Sequence, residues 1–198
     1  TYESGMLDVL LEHLATHPHW LNQNDIALYY HCCLALLRPA EKGHFEHLKP
    51  LLLQVERVFP ASECRDILLL ALNFCIRKLN EGDVHFAHEG LELYQHALQQ
   101  GYLLEKGLLS RFTFRNIVGM GLRIEAFEWV EYFIKTYGDK LPPEHHESMV
   151  SFNLARLAYI RQRYGEAIAL LQKADYEDLL LNLAARILLL KIYYETRA

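Results

Sequence analysis

The chain has 198 residues, 52% of them hydrophobic and 23% charged, with a formal net charge of −5. That balance excludes a disordered polyelectrolyte, and the acidic excess argues against nucleic acid as a partner. Leucine occurs 38 times against 7 Val and 5 Thr. Leucine keeps its rotamer freedom in a helix, whereas β-branched residues lose theirs and favour strands, so helices are expected throughout.

In chain order, Leu7, Leu10, Leu11 and Leu14 make one helical stripe within a first helix over 4–16. His17-Pro18 ends it, because the residue before a proline leaves helical geometry. Asn24 or Asp25 caps a second helix to Leu37. A third is expected over 43–59, kinked or restarted at Pro50. Pro60 and Ser62 open a fourth, to Asn80, and a fifth runs over 83–100 with Gly101 as its C-terminal cap. The segment 102–109 is the longest connector. Ser110 caps a sixth helix to Leu122, and the seventh spans 125–137. Pro142-Pro143 starts the eighth, through about Arg163, and the ninth covers 164–174. Asp175 caps a tenth. No stretch alternates with period two, so no sheet is expected.

An aromatic residue near the start of every second helix marks an internal repeat. Phe45, Phe86, Phe127 and Tyr164 stand 41, 41 and 37 residues apart, a period of helical arrays in which each pair buries its apolar face only by stacking on the next. The clearest unit is 153–174, NLARLAYIRQRYGEAIALLQKA. Leu154-Ala155 offers a large then a small residue on the first helix, Tyr164 plugs the turn, Ala167 is small where the helices cross, and Ala174 follows seven later. This segment resembles a tetratricopeptide repeat. The preceding pair matches through Phe127 and Pro142 but carries Val130 at the small position; in the N-terminal half, Leu48 and Glu89 stand there. The resemblance implies an all-α, right-handed α-solenoid of stacked antiparallel helix pairs, about ten helices in a single helical-repeat domain over 1–198. Leu189-Leu190 and Tyr193 repeat the spacing of Leu154-Ala155 and Ala158 at an offset of 35. That register puts the next turn aromatic beyond Ala198, as expected of a fragment cut after the first helix of a repeat.

No sequence signature of catalysis stands out. There is no phosphate loop, no GxSxG elbow and no Cys-His signature, so no enzymatic activity and no cofactor are expected. Gly119-Met120-Gly121 follows no strand and is read as a close helix contact. Histidines recur as H-F-x-H at His44/His47 and His85/His88, but without HExxH or a convergent carboxylate set no metal is expected. Cys32, Cys33, Cys64 and Cys75 lie in apolar helical runs and read as reduced, which favours a cytoplasmic setting. The most apolar stretch, 179–194, contains Asn182, Arg186 and Lys191, so no membrane span is expected.

In tetratricopeptide arrays the first helices of the pairs line a groove. The resemblance therefore points to Arg115 and Asn116 on the sixth helix, Phe152, Asn153, Arg156 and Tyr159 on the eighth, and Lys191 and Tyr194 on the tenth as groove candidates. Arg and Tyr are side chains that recognition surfaces favour. Such a cationic, aromatic groove suits an extended peptide with acidic groups. The expected function is a protein-interaction scaffold binding a peptide or partner protein. The alternative is a structural spacer, or a regulatory sensor attached to a further domain; a contiguous Arg/Tyr patch favours binding and scattered residues favour a spacer. The apolar tenth helix adds the expectation of self-association.

Overall fold

The fold is that of a computed structural model, which describes residues 2–39, 41, 43–54, 59–173 and 175–197. Among these the protein is all-α apart from one small hairpin, with ten α-helices. It divides into two compact units, Thr1–Tyr102 and Leu103–Ala198, at the start of the connector that the sequence marks as longest.

The first unit holds α1 (Tyr2–Thr16), a 3₁₀ turn (Pro18–Asn22), α2 (Asn24–Leu37), α3 (His44–Leu52), α4 (Ala61–Asn80) and α5 (His85–Gln99). Helices α2 and α3 pack as one hairpin and α4 and α5 as another. The landmark rings Phe45 and Phe86 lie 5.2 Å apart, and each lies within 5.4 Å of Phe74 on α4. One aromatic nucleus therefore joins three helices. Gln23, not Asn24 or Asp25, occupies the N-cap of α2. Helix α3 ends at Leu52, shorter than expected, with Pro50 inside its last turn and the Leu53 N–H closing it on Lys49 O at 3.1 Å.

The second unit begins with an antiparallel hairpin, β1 (Leu104–Glu105) and β2 (Leu108–Leu109), with Leu104 opposite Leu109. This corrects the expectation of no sheet. Lys106 and Gly107 both have positive φ, 51° and 81°, as a two-residue type I′ turn requires; two-residue strands are too short to show alternation in sequence. Then follow α6 (Arg111–Arg123), α7 (Phe127–Tyr137), a 3₁₀ turn (Gly138–Lys140), α8 (Pro143–Ile160), α9 (Tyr164–Lys173) and α10 (Leu179–Arg197). Helix α8 packs on α6, α7 and α9, and α10 packs on α8 and α9. One core cluster of the second unit gathers Phe152, Ala155 and Ala158 of α8, Ala167 and Leu171 of α9, and Ala185, Leu188 and Ile192 of α10. Ala167 is fully buried. Ala174 lies outside the described residues. Asp178, not Asp175, caps α10: its Oδ1 accepts the Leu181 N–H at 2.9 Å.

Helices α4, α5, α6 and α8 all end in one motif. The N–H three residues past the last helical residue bonds five residues back, as from Asp83 to Lys78 O (3.1 Å), Tyr102 to Ala97 O (2.9 Å), Ala126 to Gly121 O (2.9 Å) and Arg163 to Ala158 O (2.8 Å). Such a closure needs a left-handed residue. Gly82 and Gly101 supply it in the first unit; Glu125 and Gln162, both at φ 58°, supply it in the second. None of the described helices is long and apolar enough to cross a membrane.

Candidate functional site

A cavity of about 710 Å³ in the second unit lies between the start of α6, the first half of α8, the 175–178 connector and the first turns of α10. Local sequence sets each wall. Ser110 caps α6, its Oγ accepting the Phe112 N–H at 3.3 Å, which puts Phe112 and Arg115 one turn apart on one face. Pro143 opens α8 in its first turn, where a missing N–H costs nothing. Asp178 Oδ2 pairs with Arg111 Nη1 at 2.9 Å, tying the first turn of α6 to the cap of α10. The Leu181 N–H and then Arg111 hold the Asp178 carboxyl below its ordinary pKa.

Arg115 and Phe152 line this cavity. Asn153, directly beside Phe152 in sequence, is fully buried; its Nδ2 donates to Met149 O at 2.8 Å and its Oδ1 accepts from Arg156 Nη1 at 3.2 Å. The Arg156 guanidinium lies 5.9 Å from the centre of the Phe152 ring. Burial, and then the Arg115 charge, lower its pKa from the ordinary value. Neither Arg115 nor Arg156 has a carboxylate partner among the described residues. Asn116 is half-buried on α6 and does not line the cavity.

The other three candidates are placed elsewhere. Tyr159 donates its hydroxyl to Glu195 Oε1 at 2.5 Å, and Glu195 also accepts from Tyr164 at 3.0 Å. That clasp holds α10 to α8 and α9, and the bonded carboxylate raises the pKa of both phenols. Lys191 and Tyr194 stand exposed on α10, outside the cavity lining. The register offset of 35 points to the C-terminal half of α10, whereas Leu180, Leu181 and Ala184 of its first turns meet the cavity. The Asp178 cap, once recognised, marks those residues. Phe112, one turn before Arg115, carried a second overlooked signal.

The charge of the lining differs from the cationic expectation. Five carboxylates reach the cavity, Glu144, Glu147, Asp175, Glu177 and Asp178, against Arg111 and Arg115. They enter from the first two turns of α8 and from the α9–α10 connector, outside the repeated positions of the groove candidates.

In the first unit Lys49 of α3 bridges Glu89 at 2.7 Å and Glu92 at 2.5 Å on α5. Burial alone would lower its pKa, but the two carboxylates outweigh it and raise the value. The H-F-x-H pairs behave differently from each other. His44 faces His31, Nδ1 to Nδ1 at 3.4 Å, and bonds Glu41 through Nε2 at 3.2 Å; His85 contacts Glu89 at 3.4 Å and His88 is exposed. Among the described residues no group of three His, Cys, Asp or Glu side chains is placed to hold a metal ion. Burial pushes the Cys32 thiol up to about 11 and raises Cys33 and Cys75, which leaves them protonated near neutrality and poor nucleophiles. No family model, no curated protein and no solved structure matches the chain.

Proposed function

We propose that the protein is an interaction scaffold of the tetratricopeptide kind: a right-handed solenoid of helix pairs that takes a segment of a partner protein on the face of its first helices, and that carries out no reaction of its own. The observation that carries this reading is that three alternate helices, α6, α8 and α10, jointly wall one cavity. The packing order is consistent with it. Helix α8 lies against both members of the α6/α7 pair, and α10 against both members of the α8/α9 pair, as stacked pairs require. Two groove candidates, Arg115 and Phe152, line the cavity, with Asn153 and Arg156 bonded to each other beside Phe152.

The reading is tested by photo-crosslinking. Benzoylphenylalanine replaces Phe112 in the cavity lining or Tyr132 on α7, both exposed, at 58% and 60%. Crosslinks to discrete partner proteins are expected from position 112 and not from 132. Equal labelling from both positions, or none from either, would sink the groove as the binding face.

A further inference from the structure

We propose that the occupant of the second unit's cavity is a basic, amphipathic segment of a partner protein: an apolar side chain seated on Phe112, Phe152 and Leu181, with lysine or arginine at the flanking positions. The proposal rests on the scaffold reading and reverses the acidic partner that the sequence alone favoured.

The apolar seat is already present. Phe112 is 58% exposed and Leu180 71% exposed, above a buried Met149 and Phe152. Large apolar side chains held open at a concave site are where anchors of a partner are buried. The rim decides the charge. Glu144, Glu147, Asp175 and Glu177 have no ion-pair partner among the described residues, while Asp178 is satisfied by Arg111 and by the α10 cap. Arg115 is the one lining cation without a carboxylate among the described residues. Four uncompensated carboxylates thus line a space of 710 Å³ together with one unpaired guanidinium, with the buried Arg156 behind Phe152 as a second. A space of that size is comparable in width with the Debye length, about 10 Å at 0.1 M salt, so the four charges act together on anything that enters. A concave, low-dielectric wall focuses such a field. An acidic segment would meet four like charges; a basic one pairs with them as it buries its apolar anchor. Arg115 then remains as a donor for the carbonyl oxygens of the occupant's main chain.

The test pans a random 12-residue peptide library against the full chain, with counter-selection on Ala184→Phe, whose added ring enters the cavity, and on Phe112→Ala, which removes an exposed wall should the first variant lose its helical circular dichroism. Peptides held by the wild type and released by the variants should carry Lys or Arg around an aromatic or Leu anchor. Their affinity should fall about three- to tenfold in the triple variant Glu144→Gln/Glu147→Gln/Glu177→Gln, and fall again as salt is raised. Retained peptides that are acidic and lose binding in Arg115→Ala would overturn the charge assignment and leave the scaffold reading standing. If no peptide distinguishes the wild type from the cavity variants, both fall.

Discussion

The two helix hairpins of the second unit solve one packing problem in opposite ways. Where α8 crosses α9, the small residue is on the second helix: Ala167 is fully buried and shares a core with Ala155 and Ala158 of α8. Where α6 crosses α7, the corresponding position of the second helix holds Val130, also fully buried, and the volume is missing from the first helix instead. A Cβ on Gly121 would lie 2.4 Å from Val130 Cγ2, closer than any real contact. A close crossing constrains the summed volume of the two facing residues, because interiors are packed to crystal-like density. It does not dictate which helix gives way. A template that looks for alanine on one helix therefore passes over an equally tight crossing.

The largest effect that separates the hairpins should come from Ala167→Leu. Ala167 is fully buried in the α8–α9–α10 core, so overpacking should cost about 3 kcal/mol, the upper part of the usual range. An unchanged denaturation midpoint would show that α8 and α9 are not in close contact at this residue.

Within α6 alone the two glycines should respond with opposite signs. Gly119 has nothing within 4 Å of an added Cβ, so Gly119→Ala should stabilise by about 1 kcal/mol through helix propensity alone. Gly121→Ala gains the same propensity but meets Val130, and a net loss of about 1–2 kcal/mol is expected. Adding Val130→Ala to Gly121→Ala should recover part of that loss. Chemical denaturation of Gly121→Ala, Val130→Ala and the double variant checks the coupling, and strictly additive effects would break the volume argument.

The turns offer a smaller contrast. Glu125 and Gln162 hold the left-handed position that Gly82 and Gly101 fill in the first unit. Replacing either by glycine relieves backbone strain but loosens the unfolded chain, so a net gain of about 0.5 kcal/mol is expected from each. Thermal melts that show a loss instead would mean that these side chains make stabilising contacts of their own.

The α2/α3 hairpin extends the comparison to a polar seam. His31 of α2 faces His44 and His47 of α3, with Glu41 bonded to His44. Burial first, and then His47 and His44, lower the His31 pKa to about 4. The native imidazole therefore stays neutral where the unfolded one, near 6.5, already takes up a proton. The contribution of His31 to stability is fully present above pH 6.5 and is lost as pH falls from 6.5 toward 4. Melting temperature followed across that window should decline, and His31→Asn should flatten the decline; an identical slope in the variant would assign it to other groups.

Much of the helical framework was legible in the sequence because its causes are local. The prolines at 18, 60 and 143, the Ser110 cap and the leucine stripes each act over a few residues, and the helix bounds of α2, α4 and α6 lie within one residue of those expected. The type I′ turn at Lys106-Gly107 was equally local but too short to register as periodicity. The site was legible only in part. Arg115 and Phe152 could be placed on the first helices from their registers, and both line the cavity. Phe112 and Leu181 left only local traces, a helical turn from Arg115 and a place after the Asp178 cap, while the gathering of the 175–178 carboxylates beside α6 was not legible, since the Arg111–Asp178 pair that joins them spans 67 residues. By itself, then, the sequence determined which segments are helical and where most of them stop, because propensity, capping and proline geometry are properties of neighbouring residues. Which helix yields volume at a crossing, and which charges gather at a cavity, only the tertiary structure decided. Both depend on distances between residues far apart in the chain, and no local pattern encodes them.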